Sequence, residues 1–252
     1  MSADSFAGFA DLARGRPCVI GLSGAEGAGK STAAAALAGL GFRRMPFAGP
    51  LKAVYRALLI GLGFSPEACE ARIAGALKEV PDTEFSGKFA RALFDGTART
   101  LARDALAQLD GFEATSGAVL QFLDVAERQW LFPGVAPASP RRIMQTLGTE
   151  WGRVLHGPDF WVKQWQRATA DMPLLVADDC RFANEAEAIR ARGGLVFEVE
   201  APWAPRASGP DAHPSQVLPF TPDGTLQNRE GGRPQALQQA ARAAAFAMLG
   251  GG

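Results

Sequence analysis

Thiols and imidazoles are scarce in this chain: three cysteines (Cys18, Cys69, Cys180) and two histidines (His156, His213) among 252 residues. They lie far apart, with neither a C-x-x-C nor a metal-ligand spacing, which argues against a disulfide framework or a zinc site. A reducing cytosol is the natural compartment. Net charge is absent too, since 26 Lys and Arg balance 26 Asp and Glu. No polyanion-coating surface is expected, so contact with phosphate must come from local clusters rather than from a nucleic-acid polymer. No apolar run approaches the length that spans a bilayer. Met1 to Arg16 contains Asp4 and Asp11 and no continuous apolar block, unlike a secretory signal. A soluble cytoplasmic protein with a short N-terminal arm (1–16) is expected, and no internal repeat is apparent.

What is present is a core and a phosphate loop. The 47% apolar content suits one α/β domain, or a core with one inserted subdomain. Gly24-Ala25-Glu26-Gly27-Ala28-Gly29-Lys30-Ser31 matches G-x-x-x-x-G-K-[ST] throughout. Cys18 to Leu22 before it reads as a buried strand, and Ser31 to Leu40 after it as a helix. Backbone N–H groups of such a loop, with the positive end of the helix, form a nest for phosphate oxygens. Gly24, Gly27, Ala28, Gly29, Lys30, Ser31 and Thr32 are therefore the expected ATP site, with Lys30 reaching the β and γ phosphates and the Ser31 hydroxyl holding Mg²⁺.

Downstream, Gly41 to Phe47 predicts a turn and a short strand. Leu51, Val54, Tyr55, Leu58 and Leu62 recur at helical spacing behind Pro50, and Pro66 to about Leu77 predicts another helix. Two alanine-rich stretches, 88–110 and 117–131, read as an inserted helical hairpin within 85–137. It is open whether this covers a substrate, makes a dimer contact or is a packed elaboration. A helix is expected from Ser139 to Leu155, burying Ile143, Met144, Leu147, Trp151 and Leu155. Arg142, Gln145, Thr149 and Arg153 fall on one polar stripe, which suits a solvated face and a phosphate-bearing substrate equally. Trp161 and Trp165 share a face of the next helix; core packing and stacking on a base are both open for them.

Pro173 to Ala177 reads as a buried strand ending in Asp178-Asp179. An acid at the carboxyl end of a strand downstream of a phosphate loop suits a Mg²⁺ ligand, here Asp179. Further on come a helix over 184–192, a strand over 195–199, a lid-like loop (200–217), a last strand over 217–221, a turn at Asp223-Gly224 and a closing helix over 234–249. Strands alternating with helices predict a mainly parallel sheet with helices on both faces.

Four further segments carry a family resemblance: Phe47-Ala48-Gly49-Pro50-Leu51-Lys52, Arg142-Ile143-Met144-Gln145-Thr146-Leu147-Gly148-Thr149-Glu150-Trp151-Gly152-Arg153, Asp179-Cys180-Arg181-Phe182-Ala183-Asn184-Glu185 and Asp223-Gly224-Thr225-Leu226. With the phosphate loop, and in this order, they resemble the deoxynucleoside monophosphate kinases of tailed bacteriophages. The resemblance covers about residues 17–84 and 138–249, the two expected parts of a kinase core (17–84 and 138–252). It implies a three-layer P-loop kinase fold and transfer of the γ-phosphoryl of ATP to a deoxynucleoside 5′-monophosphate. One departure is Gly49, where the family usually has Asp; Asp178 is a candidate replacement.

In that reaction the dianionic acceptor must be gripped by cations. Arg142, Arg153 and Arg181 are the candidates, because guanidinium pairs with phosphate oxygens in bidentate fashion. Gln145, Thr149, Trp161, Asp179 and Lys52 complete the expected acceptor contacts. Arg206, in the proline-rich loop, is the candidate mobile arginine beside Lys30 and Arg181, and a plain surface role fits it as well. His213 is expected to be peripheral. The insertion suggests a pocket for a modified-base monophosphate, and it makes a homodimer plausible. Two alternatives remain: another small-molecule P-loop kinase, such as one acting on dephospho-CoA, and an ATP-binding regulator that transfers nothing.

Overall fold

The computed structural model describes residues 17–131, 137–204, 219–229 and 234–250. The chain forms two compact units, one from the residues up to Phe47 together with those from Thr169 onward, the other from Ala48–Ala168.

The first unit is built on a five-stranded sheet. β1 (Cys18–Ser23) is buried at every position and lies between β3 (Leu174–Ala177) and β4 (Leu195–Glu200). β2 (Arg43–Arg44) pairs outside β3 and β5 (Gly224–Gln227) outside β4, all in parallel, giving the order β2-β3-β1-β4-β5. A central parallel strand is covered on both faces, which is why β1 reads as one apolar run. On one face Cys18, Ile20 and Leu22 join a cluster with Ala33, Ala34 and Leu37 of α1 (Lys30–Ala38). Leu237, Ala241 and Ala245 of the last helix, Pro234–Met248, complete that cluster. On the other face a Cβ at Gly21 would meet Ile189 Cδ1 at 2.5 Å, so the glycine lets the helix Ala183–Arg190 lie close to the sheet. The expected three-layer α/β arrangement is what forms.

The last strand differs from expectation. Of 217–221, residues 217 and 218 lie outside the described residues and 219–221 form no strand; β5 starts at Gly224, where a turn was expected. The Asp223 backbone N–H donates to Val196 O at 2.7 Å, and its carboxylate accepts from Val196 N at 2.8 Å. Asp223 thereby docks the next residues onto β4. Gly224 is a close approach to the Phe197 ring, 3.0 Å from where a Cβ would stand.

The second unit is helical. It comprises α2 (Gly49–Gly61), α3 (Pro66–Ile73), α4 (Thr83–Asp95), α5 (Ala98–Leu106), α6 (Ser116–Ala126), α7 (Pro140–Thr146) and α8 (Phe160–Ala168). Among the described residues, the further helices of the first unit are then α9 (Ala183–Arg190) and α10 (Pro234–Met248). The stretch 88–110 is two helices, not one, because α4 ends on Gly96 at φ 84°, a left-handed cap. Tyr55, Phe85, Phe89, Phe122, Trp130 and Trp151 are all buried in one aromatic-rich core, so residues of 85–137 pack with those of α2 and α7. Inside it, Arg72 pairs with Asp82, whose carboxylate also caps α4 through Phe85 N at 3.0 Å. Two segments, Glu127–Leu131 and Leu147–Leu155, have the wider i→i+5 turn. That wider turn carries Leu155 off the buried face, leaving it 45% exposed against expectation.

Candidate nucleotide-binding site

The loop between β1 and α1 sits at the carboxyl end of the sheet, where open parallel sheets bind ligands. The connection after β1 leads to β2 on one side, and the one after β3 leads to β4 on the other. Three of its glycines are obligatory by conformation: Gly24, Gly27 and Gly29 have φ of 138°, 79° and 108°. Two are also sterically required. A Cβ at Gly24 would stand 2.4 Å from Val199 O, and one at Gly29 would stand 2.6 Å from Asn228 Nδ2. Asn228, just past β5, donates to Ala28 O at 2.9 Å, and Trp203 Nε1 reaches Gly27 O at 3.4 Å. These contacts hold the loop from behind. Gly29 is the N-cap of α1 and brings no side-chain hydrogen bond. The first N–H groups of the helix therefore have no side-chain cap, and their positive end suits an anion. Lys30 Nζ donates to Gly24 O at 2.8 Å and Ala25 O at 2.6 Å, which places its ammonium over the loop.

Arg44 closes this site from β2. Its Nη2 donates to Ser31 Oγ at 3.1 Å and pairs with the Asp178 carboxylate. The hydrogen bond to Asp178 pushes Arg44 above its ordinary pKa, with the charges of Asp178 and Asp179 adding to it. Asp178 is only 6% exposed. Asp179 Oδ1 accepts from Phe47 N at 2.7 Å, so one oxygen of the expected metal ligand holds the backbone at the end of the Arg44 strand segment. Ser31, Asp178 and Asp179 are hard oxygen donors of the kind Mg²⁺ takes, and that ion commonly uses one or two carboxylates plus phosphate oxygens. The donor set fits Mg²⁺. Among the described residues no group of three or more His, Cys, Asp and Glu is placed to hold a metal.

Arg181 is exposed at the carboxyl side of β3, and its backbone is fixed by Glu185. The buried Glu185 carboxylate accepts from Arg181 N at 2.7 Å and Phe182 N at 3.1 Å. This explains the Asp-x-Arg-Phe-x-Asn-Glu spacing: the acid one turn into α9 reaches back to the residues that open it. Arg206 and His213 lie outside the described residues.

The other expected residues belong to the helical unit. Lys52 is half-buried in the first turn of α2, whose N-terminus at Gly49 has no side-chain cap. Arg142, Gln145 and Thr149 are exposed and Arg153 is half-buried, so the polar stripe persists through the wide turn. Arg142 Nη2 donates to Gln129 Oε1 at 3.0 Å. Trp161 is corrected by its surroundings: it is 4% exposed, and its Nε1 donates to Gly148 O at 2.9 Å. A Cβ at Gly152 would stand 2.2 Å from that nitrogen. The indole is thus part of the packing that shapes the Leu147–Leu155 segment, not an open stacking face. Trp165 is fully buried as well.

Sequence reasoning missed Arg44 and the supporting roles of Glu185, Asn228 and Trp203. It weighed Asp178 only as a replacement for the acid absent at Gly49. It also missed Glu150, whose Oε2 is buried without a hydrogen-bond partner. Glu150 and Glu185 were legible as members of quoted motifs; nothing in the spacing singled out Arg44.

Fold and loop together define an α/β protein of the P-loop kind, with a left-handed glycine loop at the carboxyl end of a five-stranded parallel sheet. The chain is similar to a protein of Acanthamoeba polyphaga mimivirus described as "Putative deoxynucleotide monophosphate kinase", 27% identical over 202 residues, covering 79% of this chain and 80% of that protein. No family model matches the chain. No helix among the described residues is long and apolar enough to cross a membrane.

Proposed function

We propose that this protein is a nucleotide kinase that transfers the γ-phosphoryl of ATP to a deoxynucleoside 5′-monophosphate, yielding ADP and the deoxynucleoside diphosphate. The observation that carries the reading is the phosphate loop: an open left-handed glycine cradle, an α1 N-terminus without a side-chain cap and Lys30 over the loop, backed by Ser31 and two strand-end acids. The likeness to the mimivirus protein supports the choice of acceptor class.

Phosphoryl transfer needs little covalent work from the protein; it needs positioning, charge neutralisation and exclusion of water. The loop amides and Lys30 hold the ATP phosphates. Ser31 with Asp178 or Asp179 would hold Mg²⁺, which would supply charge neutralisation to the phosphates. An oxygen of the acceptor's phosphate attacks the γ phosphorus, the bond from that phosphorus to the β–γ bridging oxygen breaks, and ADP leaves with the bond's electron pair. The acceptor is already anionic, so no histidine base is required. Arg181, Arg142 and Arg153 are the proposed grip on acceptor phosphate, with Lys52, Gln145 and Thr149 proposed to position the nucleotide and Arg206 a further proposed cation for the transferred group.

A panel of nucleoside monophosphates, including 5-substituted dCMP, tested with ATP and Mg²⁺ for diphosphate product is the direct experiment. Diphosphate formed from deoxynucleotides supports the reading. ADP binding with no transfer to any acceptor would assign the protein instead to the ATP-binding regulators.

A further inference from the structure

We infer that Arg44 occupies the seat of the nucleotide's divalent cation when the phosphate loop is empty, and gives up that seat when the metal nucleotide enters. The inference rests on the nucleotide-binding reading above and adds a residue no sequence motif assigns. Arg44 pairs with Val176 in register, two residues before Asp178, so its side chain lies along the carboxyl end of β3. From there one nitrogen, Nη2, reaches both Ser31 Oγ and the Asp178 carboxylate.

These are two of the oxygens, with those of Asp179, that would hold a divalent cation beside a bound triphosphate. In the hydrogen bond to Ser31 the guanidinium donates and the hydroxyl oxygen accepts, so one of that oxygen's two lone pairs is engaged and the cation's approach is crowded. Asp178, 6% exposed, is a buried carboxylate, and a buried carboxylate without a cation is strongly unfavourable. A cation beside it removes that cost. Arg44 serves in the empty state, and its side chain is 48% exposed, so it has solvent to move into. A guanidinium and a divalent ion on one pair of oxygens repel each other. Metal entry and Arg44 release are then one event. The released guanidinium is left close to the loop that holds the phosphates, where its planar set of donors suits phosphate oxygens. The arrangement also keeps free metal from settling on the protein before the nucleotide arrives.

The test uses Mn²⁺ as the probe, followed by the electron paramagnetic resonance signal of the free ion, on the full chain without nucleotide. Wild type should bind Mn²⁺ weakly. Arg44→Met, and equally Arg44→Gln should the methionine variant fold poorly, should bind it at least about tenfold more tightly, and adding Asp178→Asn should abolish the gain. Unchanged or weaker Mn²⁺ affinity in both Arg44 variants would overturn the inference, as would a gain that survives Asp178→Asn. Calorimetry of ADP binding to wild type, run alongside, reports on the nucleotide reading separately: no ADP binding sinks that reading, whereas ADP binding with no Mn²⁺ gain sinks only the role of Arg44.

Discussion

The backbone N–H of Arg181 donates to Glu185 Oε2 at 2.7 Å, with the Phe182 N–H adding to the same oxygen. The exposed arginine is thereby carried on a backbone fixed by a buried acid. Glu185→Ala leaves two N–H groups short of a partner, so it should cost about 1–3 kcal/mol of stability. It should also lower turnover with the monophosphate while ADP affinity stays near wild type. Thermal melts, calorimetry and steady-state kinetics on one preparation check all three.

Lys30→Ala removes the ammonium over the loop from a half-buried position. ADP affinity and turnover should collapse while the circular dichroism spectrum and melting temperature stay close to wild type. A variant that unfolded would mean that the lysine's hydrogen bonds to Gly24 and Ala25 hold the loop together.

Arg181→Ala should reduce turnover on the monophosphate by about 10³-fold or more, the scale of a transition-state arginine. ATP binding should be almost untouched. Loss of ATP affinity without loss of turnover at saturation would contradict the assignment.

Gly152→Ala drives a methyl into the Trp161 indole, whose nitrogen lies 2.2 Å from the position a Cβ would take. Overpacking of this kind costs about 1–3 kcal/mol. The melting temperature should fall, and the buried tryptophan fluorescence should shift to the red as the indole is displaced.

His156 packs among the rings of Phe112, Trp151 and Phe160, and burial pushes its imidazole below the ordinary value. Its Nε2 is buried without a partner. A histidine depressed in the folded state takes up its proton more readily when unfolded. Its contribution is full above the unfolded value of about 6.5 and is lost as pH falls through the lower, folded value. The melting temperature of wild type should drop more between pH 8 and pH 5 than that of His156→Leu, which has nothing to titrate there.

The loop, its flanking strand and helix, and the apolar strand ending in acids were legible because each is a local pattern. Glycines that need positive φ, a continuous buried run and an alanine-rich helix all announce themselves within a dozen residues. The role of Arg44 was not legible, because it depends on the pairing of β2 with β3 across a sequence separation that no local pattern spans. Charge on a short edge strand is ordinary, so the residue did not stand out. Trp161 misled for the opposite reason. An aromatic at helical spacing looks the same whether it faces solvent or core, and only the space opened by Gly152 shows which. β5 was displaced because Asp223-Gly224 has turn composition, and its use as a docking pair depends on Val196 and Phe197 of another strand.

Both crossings between the sheet unit and the helical unit are fastened on the sheet side. At the outgoing one, Asp179 holds Phe47 N at 2.7 Å; at the returning one, Arg192 holds Thr169 Oγ1 at 2.9 Å and Met172 O at 2.8 Å. The excursion from Ala48 to Ala168 is thus a cassette with sewn margins. Helices inside it can be lengthened, traded or lost over evolutionary time without slipping the register of the strands.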